Sequence, residues 1–440
     1  MAPWRCQLFL LFMVFSGSGW AQTALFTLED CRVYALAHEP GLLAIRQEDS
    51  IVGLENRIAL SAWKPQVGVT GNLRNNIKQQ VSIFPDLLNP GSGETQEVTV
   101  GTRWVSLLGA SLDQLIYSPE VTRDARLQDH LRERARLQIL ERELEVKAVV
   151  SRAFYLTLRA KERINLLAAD LERLNRSLRD ARLLYDEGIQ DKVDYKRATI
   201  ARNRAAADLG VARLNLKSQT ATLKQAMGFP GERPLELVYR YTDYTDELDL
   251  DNLPELEPRQ RVELKAVLLD QVIQDENTDY FRRAWRPRVS ATAAYNFNWQ
   301  SNAIGELYGR SFPNAFAGLN LNIPLFQGGG RFLQVEQNEV RALQLDYEAE
   351  RLLRLIEQEF TVAKNDYQAA MVAFRAALEN AELAQEVFDV VLLQYREGLE
   401  PFLEVVIAET DLQTTRLNSL DQLIQAMIAR VDLELAAGTL

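Results

Sequence analysis

Two long stretches of this chain contain neither glycine nor proline, residues 120–187 and residues 331–397. Ala, Leu, Arg and Glu dominate the first of them. At ~1.5 Å per residue each stretch predicts a helix of roughly 100 Å, far beyond the ~11–12 residues of an average globular helix. Return segments follow at 189–227, interrupted only by Gly210, and at 402–437. Gly188 and Gly398 separate outgoing and returning segments, and glycine there permits the positive φ of a chain reversal. Leu167, Leu171, Leu174, Leu178, Ala181 and Tyr185 step 4-3-4-3-4 along the first run. The positions 210 further on are Ala377, Ala381, Ala384, Phe388, Val391 and Tyr395. A sustained 3.5-residue period means supercoiled helix packing.

The same offset recurs elsewhere. Tyr185-Asp-Glu-Gly188 matches Tyr395-Arg-Glu-Gly398, Leu115-Ile116 matches Leu325-Phe326, and Leu223–Gly228 matches Leu433–Gly438, each 210 positions apart. Trp63-Lys64-Pro65 matches Trp285-Arg286-Pro287 at 222. The chain is thus a tandem repeat of one unit, expected at 22–227 (helix, β-hairpin, long helical hairpin) and 259–440. The acidic, Pro-containing stretch 228–258 between them is a surface connector.

Between the Trp motif and the long helix the periodicity changes from 3.5 to two. Val289, Ala291, Ala293, Tyr295, Phe297 and Trp299 alternate with mostly polar neighbours, and Ala315, Ala317, Leu319, Leu321 and Ile323 do the same. The first half predicts a strand over Val67–Leu73 and another over roughly Glu97–Leu112. Alternation over ~10 residues describes a strand with one polar face, and an aromatic-rich one fits a membrane β-barrel. Four strands cannot close a barrel of at least eight, and an open edge in lipid leaves backbone groups unpaired at several kcal/mol each. Chains must pool their strands: two copies supply eight, three supply twelve, and only the larger clearly leaves an open lumen.

Residues 1–21 read as a secretory signal peptide, with Arg5 ahead of the apolar run Leu8–Phe15 and small residues Gly19 and Ala21 before the cut. Its removal leaves 49 Lys+Arg against 61 Asp+Glu, and Cys31 as the one cysteine, so no intrachain disulfide forms. No later apolar run approaches the ~20 residues of a spanning helix. The net charge of −11 argues against nucleic acid as a partner. Two His and two Cys supply no metal motif, and no nucleophile–base set suggests catalysis. Gly328-Gly-Gly330 lacks the Lys-Ser/Thr of a phosphate loop. It reads, like Ser118-Pro119 in the first half, as a strand-to-helix join. No cofactor, metal or catalytic residue is expected.

The order of signal peptide, Thr27-Leu-Glu-Asp30, Ala35–Pro40, Trp63-Lys-Pro65, hairpin and long helix with a Tyr-x-x-Gly tip, all repeated and closing on Ala437-Gly-Thr-Leu440, resembles the TolC-like outer membrane efflux proteins (outer membrane factors) of Gram-negative bacteria. The resemblance covers essentially the whole mature chain. It implies a mainly α protein with a membrane β-barrel. Long coiled-coil hairpins would lie in the periplasm, and four strands per chain would enter one 12-stranded barrel of a homotrimer in outer-membrane lipid. The expected role is a passive exit duct for efflux or type I secretion. The expected partners are a periplasmic adaptor and an inner-membrane pump or ABC exporter. From the residues alone, a soluble periplasmic coiled-coil adaptor or structural protein stays open as a second reading.

The resemblance also directs attention to the helix tips. Asp194 and Glu404, each six residues beyond the tip glycine, correspond to acids lining the periplasmic entrance, where they would form a cation-favouring constriction. Ile407 stands where some members carry a further acid. Tyr185, Tyr395 and Glu400 are the expected gate latch, with Glu400 replacing a basic residue common in the family. Gly188-Ile189 and Gly398-Leu399 are the expected adaptor-contact tips.

Overall fold

The computed structural model describes residues 24–85, 95–188, 191–239, 248 and 253–440. The signal peptide, Ile189 and part of the acidic connector lie outside them. The chain begins with β1 (Ala24–Phe26), α1 (Leu28–His38) and α2 (Pro40–Leu60). Four strands follow: β2 (Gln66–Asn75), β3 (Gln80–Pro85), β4 (Thr95–Val100) and β5 (Trp104–Tyr117). The long hairpin α3 (Pro119–Asp186) and α4 (Lys192–Met227) leads to β6 (Leu235–Leu237). The second half has α5 (Val262–Arg282), β7 (Arg288–Ser301), β8 (Asn314–Asn322), α6 (Gly330–Arg396) and α7 (Phe402–Ala437).

The two long helices have 68 and 67 residues. Pro119 opens α3 at a position where its missing N–H costs nothing, and the Ser118 carbonyl accepts from the Thr122 amide at 3.1 Å. Gly210 does not interrupt α4, which runs through it to a left-handed cap at Gly228. Corresponding turns adopt corresponding geometry. Gly188 and Gly398 both have φ of 75°, and each donates its amide to the carbonyl of the tyrosine three residues earlier.

Interleaved segments build two compact bodies. One comprises Ala44–Arg142 and Glu257–Gln358, the other Met1–Leu43, Glu143–Leu256 and Glu359–Leu440. The first holds the main sheet, with strands in the order β2-β5-β7-β8 and every neighbour antiparallel. Val69, Ala110 and Tyr295 stand abreast, as do Val67 with Leu112 and Ala293 with Ala317. Because side chains alternate between faces, this register collects most of the apolar residues of all four strands on one face, while Val105, Leu107, Leu115 and Phe316 lie on the other. Thr70, Ser111, Asn296 and Asn320 fall on the other, where Thr292 Oγ1 donates to Asp113 at 2.8 Å and Asn320 donates to Thr292 at 3.0 Å. Strand limits in the first half differ from the sequence expectation. The stretch Glu97–Leu112 divides at residues 101–103 into β4, which pairs with β3 as a separate hairpin, and β5, which continues to Tyr117.

Among its described residues the second body is helical apart from the short parallel pair β1–β6 and connecting turns. Its core follows the 3.5-residue seam: Leu167, Leu174, Ala181, Ala377 and Phe388 are all buried. Thr27 caps α1 by accepting from the Asp30 amide, while the Asp30 carboxylate accepts from the Thr27 hydroxyl and amide, which together hold that carboxyl below its usual range.

Candidate functional site: the helix tips and the apolar sheet face

Asp194 and Glu404 occupy equivalent places in the first turns of α4 and α7. Neither start has a side-chain cap; the Asp194 amide donates to the Asp191 carbonyl at 3.2 Å and the Glu404 amide to the Pro401 carbonyl at 3.1 Å. A carboxylate in the first turn is favoured by the exposed amides of a helix N-terminus. Both acids are half-buried within the chain.

The two tip tyrosines are in different surroundings. Tyr395 packs with Phe402, their ring centroids 5.6 Å apart, against Ala181 and Ala198 of the first hairpin. It also borders the cluster of Phe388, Val405, Ala408 and Leu412. Tyr185 is more exposed and stacks on Tyr195 at 6.0 Å. Tyr395 therefore ties the second tip to the first through its ring. Glu400 is half-buried; Gly188, Gly398 and Leu399 are exposed on the turns.

Just behind the tips lies a charged cluster that the periodicity did not reveal. The Asp170 and Glu409 side chains are only 3% and 7% exposed, and both meet Arg173. Its guanidinium bonds Asp170, reaches Glu409 at 3.4 Å and lies 5.6 Å from the centre of the Phe388 ring. Burial pushes both carboxyl groups up, opposed by Arg173 and, at Asp170, also by Arg416. The seam reading chose Leu171, but Asp170 is the more deeply buried of the two. The only sequence signal was a charged residue three positions after Leu167, in step with the buried row. A cavity of about 560 Å³ opens beside this cluster, lined by Arg173, Arg176, Phe388, Tyr395, Arg396 and Phe402 among others.

The sheet offers a different kind of surface. Its apolar face is uncovered in the single chain: Val67 is 76% exposed, Leu319 74% and Leu321 63%. Toward one end it carries an aromatic ladder, Tyr295–Phe297–Trp299–Tyr308, with successive centroids 5.0, 5.9 and 5.4 Å apart. At the other end stand Trp63 and Trp285, each just before a strand. Within the chain's own sheet β2 and β8 are edge strands. Among the described residues no helix is long and apolar enough to cross a membrane, and no group of three or more His, Cys, Asp or Glu could hold a metal ion.

Comparison with known proteins agrees with this arrangement. Residues 253–439 match the family of outer membrane efflux proteins. The chain is 21% identical over 427 residues to outer membrane protein TolC of Vibrio cholerae, covering 97% of this chain and 92% of the relative. It superposes on the solved structure of CusC with a TM-score of 0.72 at 16% identity, covering 97% of this chain and 95% of CusC. For the MtrE outer membrane channel of Neisseria gonorrhoeae the TM-score is 0.70 at 16% identity, with 93% and 88% covered. The duplicated hairpins and the one-faced apolar sheet agree with these likenesses: residues 253–439 match the outer membrane efflux protein family, and the chain shares the fold of the solved outer membrane channels over nearly its full length.

Proposed function

We propose that this protein is an outer-membrane exit duct, three copies of which pool their sheets into one 12-stranded barrel continued by a helical tube in the periplasm. The observation that carries the reading is the four-stranded sheet, apolar and exposed on one face, polar on the other, with an open strand at each edge. In water that face and those edges would drive aggregation. In a bilayer the face meets lipid and the edges pair with neighbouring copies. The protein is exported through its N-terminal signal, conducts passively, and receives cargo from a periplasmic adaptor and an inner-membrane pump or exporter that supply energy and specificity.

The gate in this reading is the ring of Asp194 and Glu404 at the helix tips. Six carboxylates around a narrow opening favour cations and repel one another. Tyr395 supports the gate by packing its own hairpin on the neighbouring one. Gly188-Ile189 and Gly398-Leu399 present the tips to the adaptor.

Planar-bilayer conductance of the detergent-purified protein, with its oligomeric mass, tests the proposal. A trimer with small cation-selective conductance that rises in Asp194→Ala/Glu404→Ala is the expected result. Equal, wide conductance of both proteins would move the gate elsewhere. A monomer that stays soluble without detergent and never inserts would overturn the duct.

A further inference from the structure

The repeated Trp-Lys/Arg-Pro motif is left without a role by conduction, and its surroundings give it one. We infer that Trp63-Lys64-Pro65 and Trp285-Arg286-Pro287 form paired binding sites for the phosphodiester of an anionic phospholipid in the periplasm-facing leaflet. This rests on the membrane reading of the sheet. Both motifs sit at the same end of it: β2 starts at Gln66, β7 at Arg288, and both pair there with the C-terminal part of β5. With β5 between them and Gln66 level with Thr292, four residues into β7, the two sites are roughly 16 Å apart. Apolar alternation begins at once, with Val67 and Val289. Each joint thus passes from aromatic ring to cation to lipid-facing strand, in the order of a membrane interface.

Charge pairing separates the site from its basic surroundings. Arg123, Arg126 and Arg283 nearby are matched by Asp124, Glu276 and Asp279 at 2.8, 3.7 and 2.7 Å. No described carboxylate pairs with Lys64, Arg286 or Arg288, although the chain as a whole carries a charge of −11. Lys64, Arg286 and Arg288 stand unmatched at the strand starts, where an external anion would supply the missing charge. The joints are also fixed in place. Gln114 Nε2 donates to the Trp63 carbonyl at 2.7 Å, and the Arg286 amide donates to the Arg283 carbonyl at 3.0 Å. Each proline holds the backbone at the step into the strand. Trp63 and Trp285 are 38% and 55% exposed, which leaves indole surface at the headgroup level.

Native mass spectrometry of the detergent-purified full chain, titrated with phosphatidylglycerol or with zwitterionic phosphatidylcholine, tests this. The wild type should retain phosphatidylglycerol selectively. Lys64→Gln, Arg286→Gln and Arg288→Gln should each weaken that retention roughly fivefold, while Lys64→Arg and Arg286→Lys keep it, so that loss of charge is told apart from loss of fold. Equal retention of both lipids by the wild type, or unchanged selectivity in the triple Gln variant, would overturn the site. Displacement of phosphatidylglycerol by millimolar inorganic phosphate would make it a free-anion site and overturn the lipid assignment. Conductance of the wild type reports on the duct separately, so a conducting protein without lipid selectivity would sink this inference alone.

Discussion

Arg173 serves two buried acids at once, and the consequences are specific. Removing one partner of a buried ionic group leaves uncompensated charge, a loss of about 3–5 kcal/mol when fully buried. Arg173 is itself 23% exposed, so Arg173→Ala should destabilise the helical body by about 2–4 kcal/mol. That loss would be read as an earlier thermal transition in detergent at pH 7. The pH dependence has a definite sign. Asp170 and Glu409 both have carboxyl groups raised by burial in the folded state. Their favourable contribution is therefore complete below the ordinary carboxylate range and is lost as pH rises through the raised folded value. The Arg173→Ala deficit should accordingly shrink between pH 7 and pH 5, because the orphaned acids take up protons. The groups that set this titration are Asp170 and Arg173 on α3 with Arg416 and Glu409 on α7; Asp389 on α6 acts on Arg416. A deficit independent of pH would mean that Arg173 acts through packing alone.

Helix ends rather than helix middles carry the backbone constraints. Gly228 closes α4 at φ 65°, and a Cβ there would lie 2.4 Å from the His38 carbonyl oxygen. Backbone cannot yield as a side chain does, so Gly228→Ala should cost more than ~1–2 kcal/mol, the left-handed penalty alone. Gly398 shares the positive φ but has open space around it, so Gly398→Ala should cost no more than that penalty. Gly210, inside α4 with open space where a Cβ would stand, should behave oppositely: Gly210→Ala gains about 0.5–1 kcal/mol of helix stability. Thermal melts of the three variants under one set of conditions give the ranking, and a Gly228→Ala protein as stable as the parent would refute the cap argument. The Asp170–Arg173–Glu409 cluster also has no copy in the other hairpin. The positions 210 away from its three members are Asn380, Leu383 and Thr199. A buried ionic contact present once favours one pairing of α3 with α7 over the pseudo-symmetric alternatives that duplicated seams would otherwise allow.

If the chain assembles as the proposed duct, the two faces of the sheet should tolerate opposite substitutions. Leu319 lies on the apolar face and Asn320 on the polar one. Arginine on a lipid face near the bilayer midplane costs about 2–4 kcal/mol, so Leu319→Arg should reduce the yield of heat-resistant trimer in outer-membrane fractions. Asn320→Arg should assemble normally and shift ion selectivity toward anions in planar bilayers. If Leu319→Arg assembled as well as Asn320→Arg, the apolar face would not be the lipid face.

The sequence alone was enough for the repeat, the two long helical hairpins, the tip glycines and the alternation of β7 and β8, because each is a local or periodic property. A 3.5-residue period, an uninterrupted helical run or a glycine at a reversal needs no knowledge of distant residues. Packing between distant residues determined the remainder. The division of Glu97–Leu112 into β4 and β5 depends on which strand each segment pairs with, and β2 and β7 rather than chain order set that. Gly210 reads as a break but is carried through α4, since packing along the seam outweighs a penalty of about 1 kcal/mol. Nothing in the sequence marks Asp170 and Glu409 as a pair, because only the meeting of α3 with α7 places one guanidinium between them and removes them from water. The unmatched cations beside Trp63 and Trp285 became distinct only when the carboxylates around them were seen to be engaged by other arginines. Charge compensation acts between residues far apart in sequence, and the tertiary fold alone decides it.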